Sequence, residues 1–311
     1  MVFRKILDDI SNTEQPMNYK DLASISGLST DDVDQFKIVW NSLNDSRKEE
    51  MISILVRLGE ENTDLEFYDI FKLGLIDADE YVREQSIRGL WESEDRRLIN
   101  SLIGILMSDP SFKVKCAAAE HLGKFITISL TGKLLNRDLL RVKQALLECI
   151  SIKDNDDNLE VRRRSIEAVS ALNDPEIHEV ILDAYENGDP ELKESAIYAM
   201  GHSSDMKWLP KILAEIRYGS SAHKYEAATA CGKLGDESNI PELVTLLEYD
   251  DLQVQLASIN AIGLIGGTYA KQVLNELMDA EDEELSYSIA SALQEIEFDE
   301  DPLKLTLDQR I

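Results

Sequence analysis

Apolar and small residues recur along this chain in a ten-residue template. In VKCAAAEHLG, with Val114 as offset zero, Ala118 and Ala119 stand at offsets four and five, Leu122 at eight and Gly123 at nine. LKESAIYAMG from Leu192, HKYEAATACG from His223 and VQLASINAIG from Val254 follow the same template. So do VREQSIRGLW from Val82, VRRRSIEAVS from Val161 and LSYSIASALQ from Leu285. The seven starts are separated by 32, 47, 31, 31, 31 and 31 residues, and four equal steps in a row mark an internal repeat.

A second apolar pattern precedes each start. Ile103, Ile181, Ile212, Leu243 and Leu274 lie eleven residues upstream; Met107, Tyr185, Ile216, Leu247 and Met278 lie seven upstream. Apolar residues four apart share one helix face, so each unit is predicted to be two antiparallel helices joined by a tight turn. Asp109-Pro110, Asp189-Pro190 and Asp250-Asp251 mark the turns, because Asp and Pro suit a helix N-terminus whose N–H groups lack partners. Small residues at offsets four and five allow close helix approach, and Gly at offset nine fits a helix nearing its end.

These VRxxAAxALG-like segments, with small residues at fixed offsets and a unit near thirty residues, resemble the HEAT-repeat family and its prokaryotic subgroup named for phycobilin-lyase repeats. The resemblance covers about residues 61–298 and is carried best around Val82, Val114 and Val254. It implies an all-α solenoid, a right-handed superhelix of about seven to eight helical hairpins whose second helices line a concave face. HEAT arrays serve many roles, so the fold does not choose an activity.

The expected organisation has three parts. Residues 1–60 form an N-terminal helical cap with a divergent first repeat, in which VDQFKIVWNSL and SRKEEMISILVRLG are the paired helices. Residues 61–298 form the array, with an insertion at about 127–152 read as a connector followed by a helix over 137–151; residues 299–311 form an acidic tail.

Composition narrows the functional classes. With 60 acidic against 32 basic residues the formal charge is −28, which repels nucleic acid and anionic membrane and favours a basic partner or one with a basic segment. The three cysteines are odd in number and far apart, which points to buried thiols in a reducing cytoplasm rather than a disulfide framework. No run of about 18 apolar residues occurs, so no membrane span is expected. Asp8 and Asp9 break the apolar core that a signal peptide would need.

Chemical motifs fail one by one. GKLGDES after Cys231 lacks the first glycine and the hydroxyl of a phosphate loop, and it follows a helix. His223 stands eight residues before Cys231, about 12 Å along a helix, beyond hydrogen-bond reach. The HEAT-like deoxyhypusine hydroxylases carry repeated His-Glu pairs; here only His178-Glu179 has that order, Glu120-His121 being reversed. Asp154–Asp157 lacks the glycine and final glutamate of a calcium loop. No catalytic residue, metal ligand or cofactor is expected.

One ladder stands out at offset one: Arg83, Lys115, Arg162, Lys193 and Lys224, then Gln255 and Ser286. Its expected role is pairing with turn carboxylates such as Asp77, Asp109 and Asp156, cross-linking neighbouring units. Arg162-Arg163-Arg164 exceeds that need, which makes Arg163 a candidate partner contact. Offset six, expected on the concave side, holds Arg88, Glu120, Glu167, Tyr198, Thr229 and Asn260. Trp91 replaces the small residue at offset nine; packing against the N-terminal unit is expected, with a partner anchor as the alternative. Trp208 is expected in the core.

The resulting expectation is a non-enzymatic scaffold or adaptor that binds a partner protein on the concave face of a HEAT solenoid. The alternative, resting on the subgroup resemblance, is a HEAT-type lyase or chaperone acting on a bilin or its carrier protein. Self-association through the insertion or an end unit is a third way to use such a surface.

Overall fold

The computed structural model describes residues 2–152, 156–278 and 282–300. Most of the expected acidic tail, residues 153–155 and the side chains of Asp156 and Asp157 lie outside these described residues. Among them the chain is all helix and turn, an all-α solenoid of paired helices.

Contacts divide the chain into two compact units, residues 1–168 and 169–311. The first contains α1 (Val2–Ser11), α2 (Tyr19–Ala23), α3 (Thr30–Ser42), α4 (Asp45–Glu61), α5 (Tyr68–Gly74), α6 (Glu80–Gly89), α7 (Leu98–Ser108), α8 (Phe112–Leu130), α9 (Asn136–Ser151) and nearly all of α10 (Asp156–Val169). In it α4, α6 and α8 pack side by side as one layer. The second contains α11 (Pro175–Asn187), α12 (Pro190–His202), α13 (Leu209–Tyr218), α14 (Ser221–Leu234), α15 (Ile240–Val244), α16 (Leu252–Ile265), α17 (Gly267–Glu276) and α18 (Glu283–Glu300). There α12, α14, α16 and α18 form the corresponding layer.

The repeat register is written into the caps. Three residues before five of the starts, a turn side chain accepts a hydrogen bond from the N–H of the start residue: Asp79 from Val82 (2.9 Å), Asp189 from Leu192 (2.9 Å), Ser220 from His223 (3.4 Å), Asp251 from Val254 (3.4 Å) and Asp282 from Leu285 (3.1 Å). Each satisfies one of the N–H groups that a helix leaves orphaned at its first turn. Asn44 does the same for Arg47 (2.9 Å), which places the divergent first unit in register with a start at residue 47.

The core stripe of the first helices follows offsets −15, −11 and −8, spaced four and three as a helix face requires. Ile99, Ile177 and Trp208 are buried at −15, Ile181, Ile212, Leu243 and Leu274 at −11, and Leu106, Ala184 and Leu246 at −8. The expected column at −7 is only partly core: Ile216 is buried, whereas Met278 is 44% exposed. The same stripe runs through α5 as Phe67, Phe71 and Gly74, the last pressed against the hydroxyl of Ser86.

Glycine at offset nine does more than end a helix. A Cβ on Gly201 would stand 2.6 Å from the Cα of Ala230; on Gly232, 2.7 Å from Ala261; on Gly263, 2.8 Å from the Cβ of Ala292; on Gly123, 3.0 Å from Ala168. Each partner is the alanine at offset seven of the next unit. At these four joints the second helices therefore meet backbone to backbone at a glycine-on-alanine contact, and α12, α14 and α16 run on through it.

The offset-one ladder closes the other end of the hairpin. Arg83 donates from Nη1 to the carbonyls of Asp77 (2.9 Å) and Ala78 (2.8 Å), Arg162 to Ile150 (3.1 Å), and Lys224 to Ile216 and Arg217. Gln255 donates to Leu247 and Tyr249, both at 2.9 Å. These carbonyls lie at the C-terminal end of the preceding helix or in the turn just after it. A neutral Gln suffices for that role, so charge is needed only where the side chain also reaches a carboxylate. Arg83 does so, bidentate to Asp109 of the next hairpin (2.7 and 2.9 Å), and Lys48 pairs with Asp77 (2.7 Å). Lys193 instead reaches Glu215 (2.8 Å), a buried carboxylate in the core stripe of α13 that also accepts from Tyr185 (2.6 Å) and lies 3.4 Å from His223.

The insertion lengthens two helices. Residues 127–130 continue α8 rather than forming a connector, and the expected helix over 137–151 is α9. Arg96 of the preceding turn donates to Asp138 (2.9 Å), which ties α9 to the hairpin before it.

Candidate interaction cleft

The α6–α8 joint of the first unit departs from the glycine-on-alanine rule. In place of glycine and alanine, the α6–α8 contact has Trp91 and His121, their rings 5.7 Å apart and edge to face. Two rings do not fit where glycine and alanine backbones touch, so α8 is held off the end of α6. Accordingly α6 stops at Gly89, two residues short of offset nine, and Trp91 sits in the turn that follows. Beside this wedge opens a cleft of about 970 Å³, lined by the end of α4, the 63–68 turn, α5, the end of α6 and the Ala117–Glu120 stretch of α8.

The floor is apolar: Phe67 and Phe71 are each 3% exposed and Leu90 is 2% exposed. Trp91 is 46% exposed, so it forms wall rather than core and packs toward the following repeat, not toward the N-terminal unit as the sequence led us to expect. Lys124 lies over its indole at 5.4 Å and donates to its carbonyl. His121 is fully buried, stacked on Phe125 with ring centroids 5.6 Å apart, and its Nε2 has no hydrogen-bond partner among the described residues. Burial pushes its imidazole down to about 4, so it is neutral at pH 7.

The rim is acidic. Glu60, Asp64, Glu66, Glu92 and Glu120 line the cleft, with Arg88 as the one basic residue among the described lining residues. Tyr68 is already occupied, since its hydroxyl donates to Asp95, and burial together with that carboxylate pushes its phenol up to about 12. Arg88 pairs along its own helix, with Glu84 at 3.0 Å, and keeps a side chain 54% exposed. Glu120 is half-buried; its ion pair is with Arg164 at 3.5 Å, and Arg164 is held more closely by Glu160 and Glu167, both at 2.8 Å. Burial raises the Glu120 carboxyl above the usual range, outweighing the opposing pull of Arg164 and Arg88.

Of the residues singled out from sequence, Arg88, Trp91 and Glu120 meet in this cleft, and Glu167 reaches its edge through Arg164. Arg163 is engaged with Glu160 (3.1 Å) and its side chain is 18% exposed, so the triple-arginine run is spent largely within α10. Tyr198, Thr229 and Asn260 lie in the second unit on α12, α14 and α16. Tyr198 stacks on His202 (4.5 Å) beneath Lys233, Thr229 donates to the carbonyl of Tyr225 (3.1 Å), and Asn260 accepts from Ser288 (3.3 Å). Sequence reasoning missed Phe67, Phe71 and the rim carboxylates other than Glu120. The −15 and −11 positions before Val82 carried the signal for the two phenylalanines.

Among the described residues, no three His, Cys, Asp or Glu side chains stand close enough to share a metal ion, and all three cysteines are free and buried. No described helix is long and apolar enough to cross a membrane.

The regular second unit is the part that matches a known family. Residues 209–294 match the model of HEAT repeats. That stretch is built of HEAT repeats. No curated protein matches its sequence. Among solved structures it is similar to a chain of the CpcE–CpcF complex of phycocyanin lyase from Nostoc sp., with 17% identity, 74% of this chain and 94% of that one covered, and a TM-score of 0.46. It is also similar to a chain in the complex of Kap95p with RanGDP (10% identity, 95% and 46% covered, TM-score 0.58). The karyopherin Kap121p bound to the extreme C-terminus of the phosphatase Cdc14p gives 13% identity, 96% and 39% covered, and a TM-score of 0.54. The chain spans less than half the length of the last two, and at such identities the likeness shows the fold alone.

Proposed function

We propose that this chain is a non-catalytic scaffold or adaptor that holds a partner protein on its second-helix face, with the α6–α8 cleft seating a basic, partly apolar segment of that partner. The observation that carries the reading is the cleft itself: an apolar floor and an exposed tryptophan inside a rim of five carboxylates. Tryptophan is enriched among the residues that anchor protein interfaces, above all in concave, desolvated sites. The acidic rim, on a chain of formal charge −28, attracts cationic segments and repels anionic ones. The remaining second-helix residues singled out from the sequence are proposed as further contacts, each within its own unit: Glu167 and Arg163 in the first, Tyr198, Thr229 and Asn260 in the second.

Subtractive affinity capture from the native cell tests this, with the wild-type chain compared to a Trp91→Ala/Glu120→Gln variant. The reading requires a protein retained by the wild type, lost with the variant, released by salt and carrying a basic segment. Equal recovery on both chains, or a captured protein whose contact segment is acidic, refutes it.

A further inference from the structure

The carboxylates that stitch this fold together are closely paired. Asp77 has Lys48 at 2.7 Å, Asp109 has Arg83 at 2.7 Å, and Glu215 has Lys193 at 2.8 Å. Glu120 differs. It is half-buried on α8, in the wall of the cleft, and its ion-pair partner Arg164 stands 3.5 Å away while contacting two other carboxylates at 2.8 Å. Arg88, which faces it from α6, turns to Glu84. With its side chain still 41% exposed and only a loosely held partner, Glu120 keeps accepting capacity for a further cation.

Resting on the function proposed above, we infer that Glu120 is the acceptor for the head group of one arginine or lysine side chain of the bound segment, with the indole of Trp91 as the surface along which that side chain lies. The pairing follows from the chemistry of the two groups. A guanidinium bridges a carboxylate and stacks on an aromatic face, and both groups line one cleft whose floor accepts the neighbouring apolar side chains. Cation binding stabilises the ionised form of Glu120, whose carboxyl burial has raised, so affinity falls as the pH is lowered. The charged groups facing Glu120 are Arg88 from α6 and Arg164, Glu160 and Glu167 from α10, with Lys124 one turn along its own helix. The arginines stay charged throughout, and the glutamates of α10 are held by Arg164.

The probes are an alternating arginine–leucine octapeptide and its citrulline–leucine counterpart, which keeps the shape and removes the charge. Binding to the full-length chain is measured by fluorescence anisotropy at pH 7.5 and pH 5. The arginine peptide is expected to bind at least tenfold more tightly than the citrulline peptide. Glu120→Gln should collapse that ratio to within about twofold by weakening the arginine peptide alone, and should abolish the pH dependence. Glu248→Gln, an exposed carboxylate outside the cleft, should leave the ratio within about twofold of wild type. If the arginine peptide binds and Glu120→Gln leaves the ratio unchanged, the assignment of Glu120 is overturned while the cleft reading stands. If neither peptide binds the wild-type chain, both are overturned.

Discussion

The backbone of Gly201 rests on that of Ala230, so closely that a single methyl group at Gly201 would lie 2.6 Å from the Ala230 Cα. Alanine in mid-helix ordinarily outperforms glycine by about 0.5–1 kcal/mol. Here overpacking of about 1–3 kcal/mol opposes that gain and decides the sign. Gly201→Ala should lower the urea midpoint, as should Gly232→Ala. Gly104→Ala should raise it by about 0.5–1 kcal/mol equivalent, because Gly104 sits inside α7 with nothing within 4 Å of its missing Cβ. Equilibrium urea unfolding of the three variants checks the contrast.

Arg83 and Asp109 bridge consecutive hairpins with side chains only 10% and 6% exposed. Asp109→Ala leaves a buried guanidinium without its partner and should cost about 3–5 kcal/mol. An Arg83→Gln/Asp109→Asn double variant removes both charges and keeps an amide donor for the Asp77 and Ala78 carbonyls, as Gln255 provides in its own repeat. It should therefore recover part of the loss, measured by the same unfolding experiment.

His121 gives the first unit a pH dependence of known sign. Its folded value is depressed to about 4 by burial, below the unfolded value of about 6.5. Between those values the unfolded chain binds a proton that the folded chain does not, so stability falls as pH drops from about 6.5 toward 4. The limiting slope for one proton is about 1.4 kcal/mol per pH unit. His121→Phe, which keeps a ring against Phe125, should flatten that part of the profile. Thermal unfolding from pH 7 to 4.5 reads it out.

The wedge between α6 and α8 can be reverted to the pattern of the other repeats. A Trp91→Gly/His121→Ala variant restores the glycine-on-alanine pair and should draw the two helices together. Binding of the arginine–leucine octapeptide should fall at least tenfold, with helix content by circular dichroism unchanged. Undiminished binding would show that the wedge does not make the site.

Much of this arrangement was legible in the sequence, because each hairpin repeats the same physical needs. A donor at offset one serves the carbonyls of the preceding helix, and the caps of Asp189 and Asp251 serve the next helix, so both appear at fixed spacings. The meaning of glycine at offset nine was not legible from one unit. Its partner, the alanine at offset seven, lies 29 residues further on in the regular repeats, as with Gly201 and Ala230 or Gly232 and Ala261. Trp91 was assigned to the wrong neighbour for the same reason: His121 replaces that alanine, and only the pair explains either residue. The extension of α8 was hidden because FITISL is β-branched and reads as extended, whereas packing of Phe125 and Ile126 in the core overrides that local preference.

The candidate site was legible only in part. Arg88 and Glu120 share a column, and Trp91 is visible as an exception to it. The cleft, however, depends on Phe67 and Phe71 from α5 and on carboxylates from the end of α4, residues far from that column in sequence. Tyr198, Thr229 and Asn260 occupy the same column in the second unit, where the glycine-on-alanine contacts are intact.

Site-specific photocrosslinking in the native cell tests the central claim most directly, with the photoreactive residue placed at position 88 or, for comparison, at position 225, an exposed site on α14. The account predicts a dominant adduct from position 88 to a partner peptide carrying lysine or arginine beside apolar residues, and loss of that adduct on Glu120→Gln. Adducts from position 225 that exceed those from position 88, or adducts from 88 that survive Glu120→Gln and map to acidic peptides, would contradict it.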